Sequence, residues 1–363
     1  MIRLFALALP LPSAVAVPPP PIVIAPSPAP AAASLLSWTP GDVNCGGTAA
    51  SVVRIERPWL QRVYPNSAKY APVSFTFDID ANGRPLAIRK GDAATPFGIA
   101  DDLGPALAAT RFRPGQAKTG CTIVYSPQLT AIDDAPLSAL MAYAANPVSG
   151  PLPPEAWKRI YETGTCKGDS VAGLRNRAFP NFRAIPAEPG VRDWSMVGYD
   201  VGQDGGSINV ETLASSGNAA LEEASRAATT ETRYWSGAFT GCRFAYWRSA
   251  GTLSAPALPE EDEFRPANST CPERRDWATP PVLRFPEPYR RRAIEGWAVV
   301  TYDVAPWGEI NNVQVKASQP SADFGTQATV VLRSARVKAG TGAVGCVERV
   351  RFAMEPDKAE TAP

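Results

Sequence analysis

Three stretches of the chain alternate apolar with small or polar residues, break at a glycine and resume. The first runs Val73-Ser74-Phe75-Thr76 into Phe77-Asp78-Ile79 and Gly83, and the second runs Met196-Val197-Gly198 into Tyr199-Asp200-Val201 and Gly205. The third runs Trp297-Ala298-Val299-Val300-Thr301 into Tyr302-Asp303-Val304 and Gly308. A second apolar stretch follows each glycine, at 86–88, 208–210 and 310–315. Period-two alternation on either side of a glycine-containing connection predicts a β-hairpin in each case.

After each hairpin the period lengthens. Ile99, Leu103, Ala106 and Leu107 mark one face of a helix over 98–110, and Ala220, Leu221, Ala224 and Ala228 mark a second over 216–229. Phe324, Ala328, Val331, Leu332 and Ala335 mark a third over 323–335. Spacings of three and four place each set on a core-facing stripe. Asp101, Ser216 and Asp323 stand near the three starts, where they can cap the helix or complement its dipole. Alternation then returns in Cys121, Ile123 and Tyr125, in Cys242, Phe244 and Tyr246, and in Cys346, Val350, Phe352 and Met354, which predicts a final strand.

The cysteines fix the period of this pattern. Cys45 and Cys121 are 76 residues apart, Cys166 and Cys242 are 76 apart, and Cys271 and Cys346 are 75 apart. A glycine (Gly120, Gly241, Gly345) precedes each second cysteine. Six cysteines allow 15 connectivities. The repeat makes one pairing per module the economical choice, tying an incoming arm to the start of the last strand. Closing such a loop stabilises by about 4.5 kcal/mol in the chain-entropy model, which matters for modules of roughly 90 residues with small cores.

The predicted fold is therefore α+β: three tandem small modules, each a hairpin, one helix and a final strand in a small antiparallel sheet, with one disulfide per module. The boundaries read as module one at 38–130, a linker with a short helix at 131–155, module two at 156–253, a proline-rich acidic linker at 254–268, module three at 269–356 and a tail at 357–363. Motion of the third module against the first two is the expectation for such a linker.

Met1-Ile2-Arg3, the apolar run 4–11 and Ala14-Val15-Ala16 read as a signal peptide over 1–16, followed by a Pro/Ala-rich spacer over 17–37. Prolines at 10, 12 and 18–21 weigh against a membrane span of ~20 apolar residues. The expected location is periplasmic and soluble, or membrane-associated if the leader is retained. Exported chains with an even number of cysteines form disulfides.

Charge and composition remove several function classes. With 36 basic and 35 acidic residues the net charge is +1, which is not the footprint of a nucleic-acid binder. The absence of histidine removes Ser-His-Asp and Cys-His chemistry and the commonest transition-metal ligand. The repeated Asp78, Asp200 and Asp303 lack a partner acid or nucleophile and read as structural. Residues 202–206 read as a turn, the acidic run 260–263 and Arg290-Arg291-Arg292 as solvated surface, and the tryptophans Trp194, Trp235, Trp247, Trp277, Trp297 and Trp307 as mainly buried. No catalytic residue, metal ligand or cofactor is assigned, and neither a nucleic acid nor a small-molecule substrate is expected.

Phe285-Pro286, followed by Ile294-Glu295-Gly296-Trp297-Ala298-Val299 and the pattern through Gly308 to the helix and its exit at 337, resembles the C-terminal domain of the TonB energy-transducer family. Module one keeps Tyr64-Pro65 and Ala68 but has Pro72-Val73 in place of the Glu-Gly step, and module two keeps Phe179-Pro180 and the hairpin. The resemblance implies a non-catalytic binding domain whose final strand adds an extended segment of an outer-membrane or envelope protein by β-augmentation. It places the partner-binding edge of module three at Val347, Arg349, Val350, Arg351, Phe352 and Met354, with corresponding edges from Cys121 to Tyr125 and from Cys242 to Trp247. Two other functions compete with it: an energy-transducer component with a retained N-terminal anchor, and an architectural protein whose edges are internally satisfied.

Overall fold

A computed structural model describes residues 33–64, 70–92, 98–166, 173–235 and 237–354. The signal peptide, the spacer as far as residue 32, Pro65, Ala68 and the tail lie outside the described residues. The first repeat opens with β1 (Ser34–Pro40), β2 (Asn44–Cys45), β3 (Thr48–Ala49), β4 (Val52–Arg54) and β5 (Gln61–Val63). The hairpin β6 (Val73–Ile79) and β7 (Pro85–Lys90), helix α1 (Leu103–Ala109), β8 (Arg111–Phe112) and the long β9 (Lys118–Ala131) follow. Helices α2 (Leu137–Ala145) and α3 (Pro154–Ile160) lead to the second repeat: β10 (Leu174–Asn176), β11 (Asp193–Val201), β12 (Ser207–Ser215), α4 (Ala219–Glu231), β13 (Arg233–Tyr234) and β14 (Phe239–Arg248). The third repeat has β15 (Trp277–Thr279), α5 (Glu287–Arg291), β16 (Gly296–Val304), β17 (Ile310–Gln319), α6 (Ala322–Arg333), β18 (Arg336–Val337) and β19 (Ala343–Phe352).

The same pairings occur three times. The first hairpin strand lies between its partner and the last strand, as β7-β6-β9, β12-β11-β14 and β17-β16-β19, and is antiparallel to both. A short ribbon joins the incoming arm to the strand after the helix: β4 with β8, β10 with β13, β15 with β18. Disulfides Cys45–Cys121, Cys166–Cys242 and Cys271–Cys346 form as the spacing predicts.

Two repeated residues explain why the pattern is so regular. Gly83, Gly205 and Gly308 have positive φ, and a Cβ on any of them would overlap the carbonyl oxygen of Phe112, Tyr234 or Val337 in the strand after the helix. Only glycine fits a hairpin turn lying against that strand. The repeated aspartates hold the other end: one carboxylate oxygen of Asp78, Asp200 and Asp303 accepts the amide of Gly120, Gly241 and Gly345 at 2.9, 2.7 and 2.8 Å. These glycines also have positive φ and form the bulge that aims the following cysteine. The aspartates are structural, as their isolation indicates.

Helix starts are corrected in detail. Asn218 caps α4 through the Leu221 amide at 3.1 Å, and Ser321 caps α6 through the Asp323 amide at 3.2 Å. Ser216 and Asp101 are not the caps. At α1 the residue in the cap position, Asp102, makes no capping hydrogen bond and turns elsewhere.

The expected freedom of the third repeat is contradicted by its packing. One hydrophobic cluster runs from Leu36, Phe77, Leu107 and Tyr125 of the first repeat to Tyr289, Ile294, Phe324 and Phe352 of the third. The Ile88 amide donates to Pro320 O at 2.9 Å and the Ala87 amide to Gln319 Oε1 at 2.8 Å. The second repeat reaches the same junction through its incoming and outgoing segments. Gly190 N donates to Gly251 O at 2.9 Å, and Leu253 N to Ala293 O at 2.8 Å. The linker expected to let the third repeat move is docked as well: Ala255, Leu258 and Phe264 pack on Trp297, Val299 and Val347, across the sheet face opposite α6. Its acidic run is partly engaged, Glu261 with Arg265 and Arg275, and Glu260 with Arg349. Of the six tryptophans read as mainly buried, only Trp297 is in the core, whereas Trp235, Trp247 and Trp307 are exposed.

Candidate protein-binding edges

The last strand of each repeat has one side bonded to the hairpin and one side turned outward. The bulge at the glycine sets the parity, so that alternate residues carry their N–H and C=O outward. At β9 these are Thr122, Val124, Ser126, Gln128 and Thr130; at β14, Arg243, Ala245 and Trp247; at β19, Val347, Arg349 and Arg351.

The three outer sides begin alike. Beside each second cysteine the incoming arm covers the strand: Asn44 and Cys45 pair with Thr122 and Cys121. Thr165 and Cys166 donate their amides to Thr240 O, both at 3.0 Å, and Thr270 donates to Val344 O at 3.0 Å. The disulfides sit at these crossings. The next outward carbonyl takes a side chain: Arg243 O accepts from the Tyr161 hydroxyl at 3.4 Å, and Val347 O accepts from the Arg275 guanidinium.

Beyond this point the repeats part. In the first, Gly41 N donates to Val124 O at 2.8 Å, and β1 then pairs with β9 from Pro40↔Tyr125 to Ser34↔Ala131. The edge from Cys121 to Tyr125, one of the three candidate edges, is therefore closed by the chain itself. Residues 34–37, read as spacer, are part of the closing strand, and Leu35, Leu36 and Trp38 are buried. In the other two repeats the outward backbone groups of Ala245, Trp247, Arg349 and Arg351 have no hydrogen-bond partner among the described residues.

The six residues singled out in the third repeat divide by face. Val350 and Phe352 are buried toward α6, Val347 is buried under the linker, and Arg349 and Arg351 are exposed. Only main chain is available from the first three. Met354 is half-buried, and its amide donates to Glu295 Oε1 at 2.8 Å. Met354 and Glu295 line one wall of a cleft of about 1260 Å³ whose opposite wall is the open part of β14 with Phe179 and Phe182. Phe179 is largely exposed and meets the Tyr246 ring edge to face.

Electrostatics at the junction of the repeats centre on Arg292, expected to be solvated and found fully buried. Its guanidinium donates to Asp102 at 2.6 and 2.7 Å, to Glu56 at 2.7 Å, to Arg57 O at 3.0 Å and to Gly190 O at 3.3 Å. It also lies 4.4 Å from the Trp59 ring centroid. Burial alone would lower its pKa, but Asp102 and Glu56 outweigh that and hold it above its ordinary value. Glu56 is shifted upward by burial, which exceeds the opposing pull of Arg292. Sequence reasoning missed this joint because three consecutive arginines carry no mark of which one turns inward. It missed β1 although Leu35, Leu36 and Trp38 offered an apolar alternation next to the prolines.

Comparison with known proteins places one part of the chain. A search of curated proteins found no match. Among solved structures, a solution NMR structure of the Pseudomonas aeruginosa TonB CTD matches with 23% identity, covering 25% of this chain and 98% of that one, with a TM-score of 0.22. The family model for the Gram-negative bacterial TonB protein C-terminal matches residues 281–354, which hold α5, the hairpin β16-β17, α6, β18 and β19. Over residues 281–354 the chain is thus similar to the C-terminal domain of Gram-negative bacterial TonB proteins.

Proposed function

We propose that this chain is a non-catalytic periplasmic protein of three TonB-C-terminal-type repeats that binds extended segments of outer-membrane or other envelope proteins by strand addition. The single observation that carries the reading is the unequal state of the three edges. The β9 edge already holds an added strand, β1, whereas β14 beyond Arg243 and β19 beyond Val347 offer unpaired main chain among the described residues. Main-chain groups supply affinity in this mode, and neighbouring side chains select the partner. At β14 the neighbours are Phe179, Phe182 and Met354; at β19 they are Arg349 and Arg351. Among the described residues no helix is long and apolar enough to cross a membrane.

Proline substitution tests the mode of binding. Trp247→Pro and Arg349→Pro each remove an outward N–H that has no internal partner, a change edge strands tolerate. Calorimetric titration of the full chain with receptor-derived peptides of about ten residues should show binding that weakens about tenfold in one or both variants, the equivalent of one lost main-chain hydrogen bond. Binding of full strength in the double variant would rule out strand addition at these edges.

A second reading is favoured by the same β1 strand and by the docked linker: repeats that satisfy their own edges serve as a rigid spacer. That reading expects no titratable peptide at either β14 or β19.

A further inference from the structure

A separate cavity of about 500 Å³ lies where the first repeat, α2 and the incoming arm of the second repeat meet. One of its lining residues, Arg192, stacks on the β14 side chain Trp247 with its guanidinium 4.0 Å from the ring centroid, but neither β14 nor β19 itself lines the cavity, and strand addition makes no use of it. Its walls are unusually aromatic: Trp38 forms part of the floor, and Trp59, Tyr143 and Trp194 stand around it. Trp59 is backed by the Arg292 guanidinium at 4.4 Å, which fixes one face of the indole. The volume falls in the range of small-ligand sites.

The polar groups on the rim are positively charged on balance. Arg57 and Arg192 both line the cavity, while the carboxylate present, Glu56, is bound to Arg292. Arg57 is exposed, and no partner for its side chain is seen among the described residues. Asn146 adds an amide side chain with no partner of its own there. Two donors in the wall, Trp38 Nε1 and Arg192 Nε, are buried without an acceptor among the described residues, a rare condition for buried polar groups.

We infer that this cavity binds a short acidic oligosaccharide. Flat indole and phenol faces suit the C–H faces of pyranose rings, a planar amide suits an acetamido or hydroxyl group, and two guanidiniums without a free counter-charge suit a carboxylate. A neutral apolar ligand would leave both arginines uncompensated.

The test uses the full chain and two probes, the disaccharide N-acetylglucosaminyl-N-acetylmuramic acid and the neutral N,N′-diacetylchitobiose, followed by tryptophan fluorescence and calorimetry. The acidic disaccharide should bind saturably, at least about tenfold more tightly than the neutral one. Arg57→Ala and Asn146→Leu, both of side chains without internal partners, should each weaken it by about fivefold or more without changing the melting temperature. Absence of saturable binding, equal affinity for the two sugars, or affinity unchanged in both variants would overturn the proposal. Peptide titration at β14 and β19 reports separately on strand addition, so failure of one does not count against the other.

Discussion

Replacing Arg292 with methionine should destabilise the chain by about 3–5 kcal/mol, the usual cost of removing one partner from a buried ionic cluster. The side chain is fully buried and joins Glu56, Asp102 and Arg57 of the first repeat to the third, with Gly190 of the second completing the ring of acceptors. Methionine fills most of the volume but leaves two carboxylates without their counter-ion. The pH dependence has a definite sign. Glu56 already titrates above its ordinary value of 4.5 because it is buried. Losing the guanidinium raises it further, so the folded state holds the proton more tightly than the unfolded chain. The resulting stability is present at low pH and is lost as pH rises through the folded pKa. The variant's deficit is therefore largest near neutral pH and shrinks on acidification. Urea denaturation across pH 4–8 reads this directly, with Arg290→Met as control. Arg290 is half exposed, pairs with Glu287 within its own helix, and should cost under about 1 kcal/mol. Equal losses for the two variants would contradict the role given to Arg292.

Removing residues 1–40 should expose the β9 edge of the first repeat. Leu35, Leu36 and Trp38 are buried in the native chain, and losing three such side chains removes about 5–8 kcal/mol of apolar burial. The larger qualitative effect is on β9, whose outward groups from Tyr125 to Ala131 lose their partner. An unpaired edge of that length recruits another strand. Sedimentation should show the truncated chain self-associating, and a synthetic peptide of residues 33–41 added in trans should bind it and restore the monomer. A truncated chain that remains monomeric, with unchanged melting and no affinity for the peptide, would show that β1 does not hold the edge.

The local plan was legible because it is written in period and punctuation. Alternation around Gly83, Gly205 and Gly308 marked the hairpins, the three-four spacing marked the helices, and the cysteine spacing marked the cross-links. The aspartates read as structural because each stood alone, and each proved to hold a bulge glycine. What escaped was decided between distant parts of the chain. Pairing of β1 with β9 joins residues about 90 positions apart, and the burial of Arg292 depends on Glu56 and Asp102, roughly 190 to 240 positions away. The linker around Leu258 looked like a plain connection because its few apolar residues are scattered among prolines and acids, yet they suffice to cover Trp297 and Val347. The exposed Trp235 and Trp307 were misjudged because composition alone does not tell a core indole from a surface one.

Among the described residues one last-strand edge is filled by the chain and two are open. Residue-resolved hydrogen exchange on the native protein without any ligand tests this most directly. Ser126 and Gln128, whose outward amides are paired to β1, should exchange slowly, while the outward amides of Ala245, Trp247, Arg349 and Arg351 should exchange orders of magnitude faster than the inward amides of the same strands. Uniformly slow exchange along β14 and β19 would mean that those edges are covered as well, and the account of strand addition would fail.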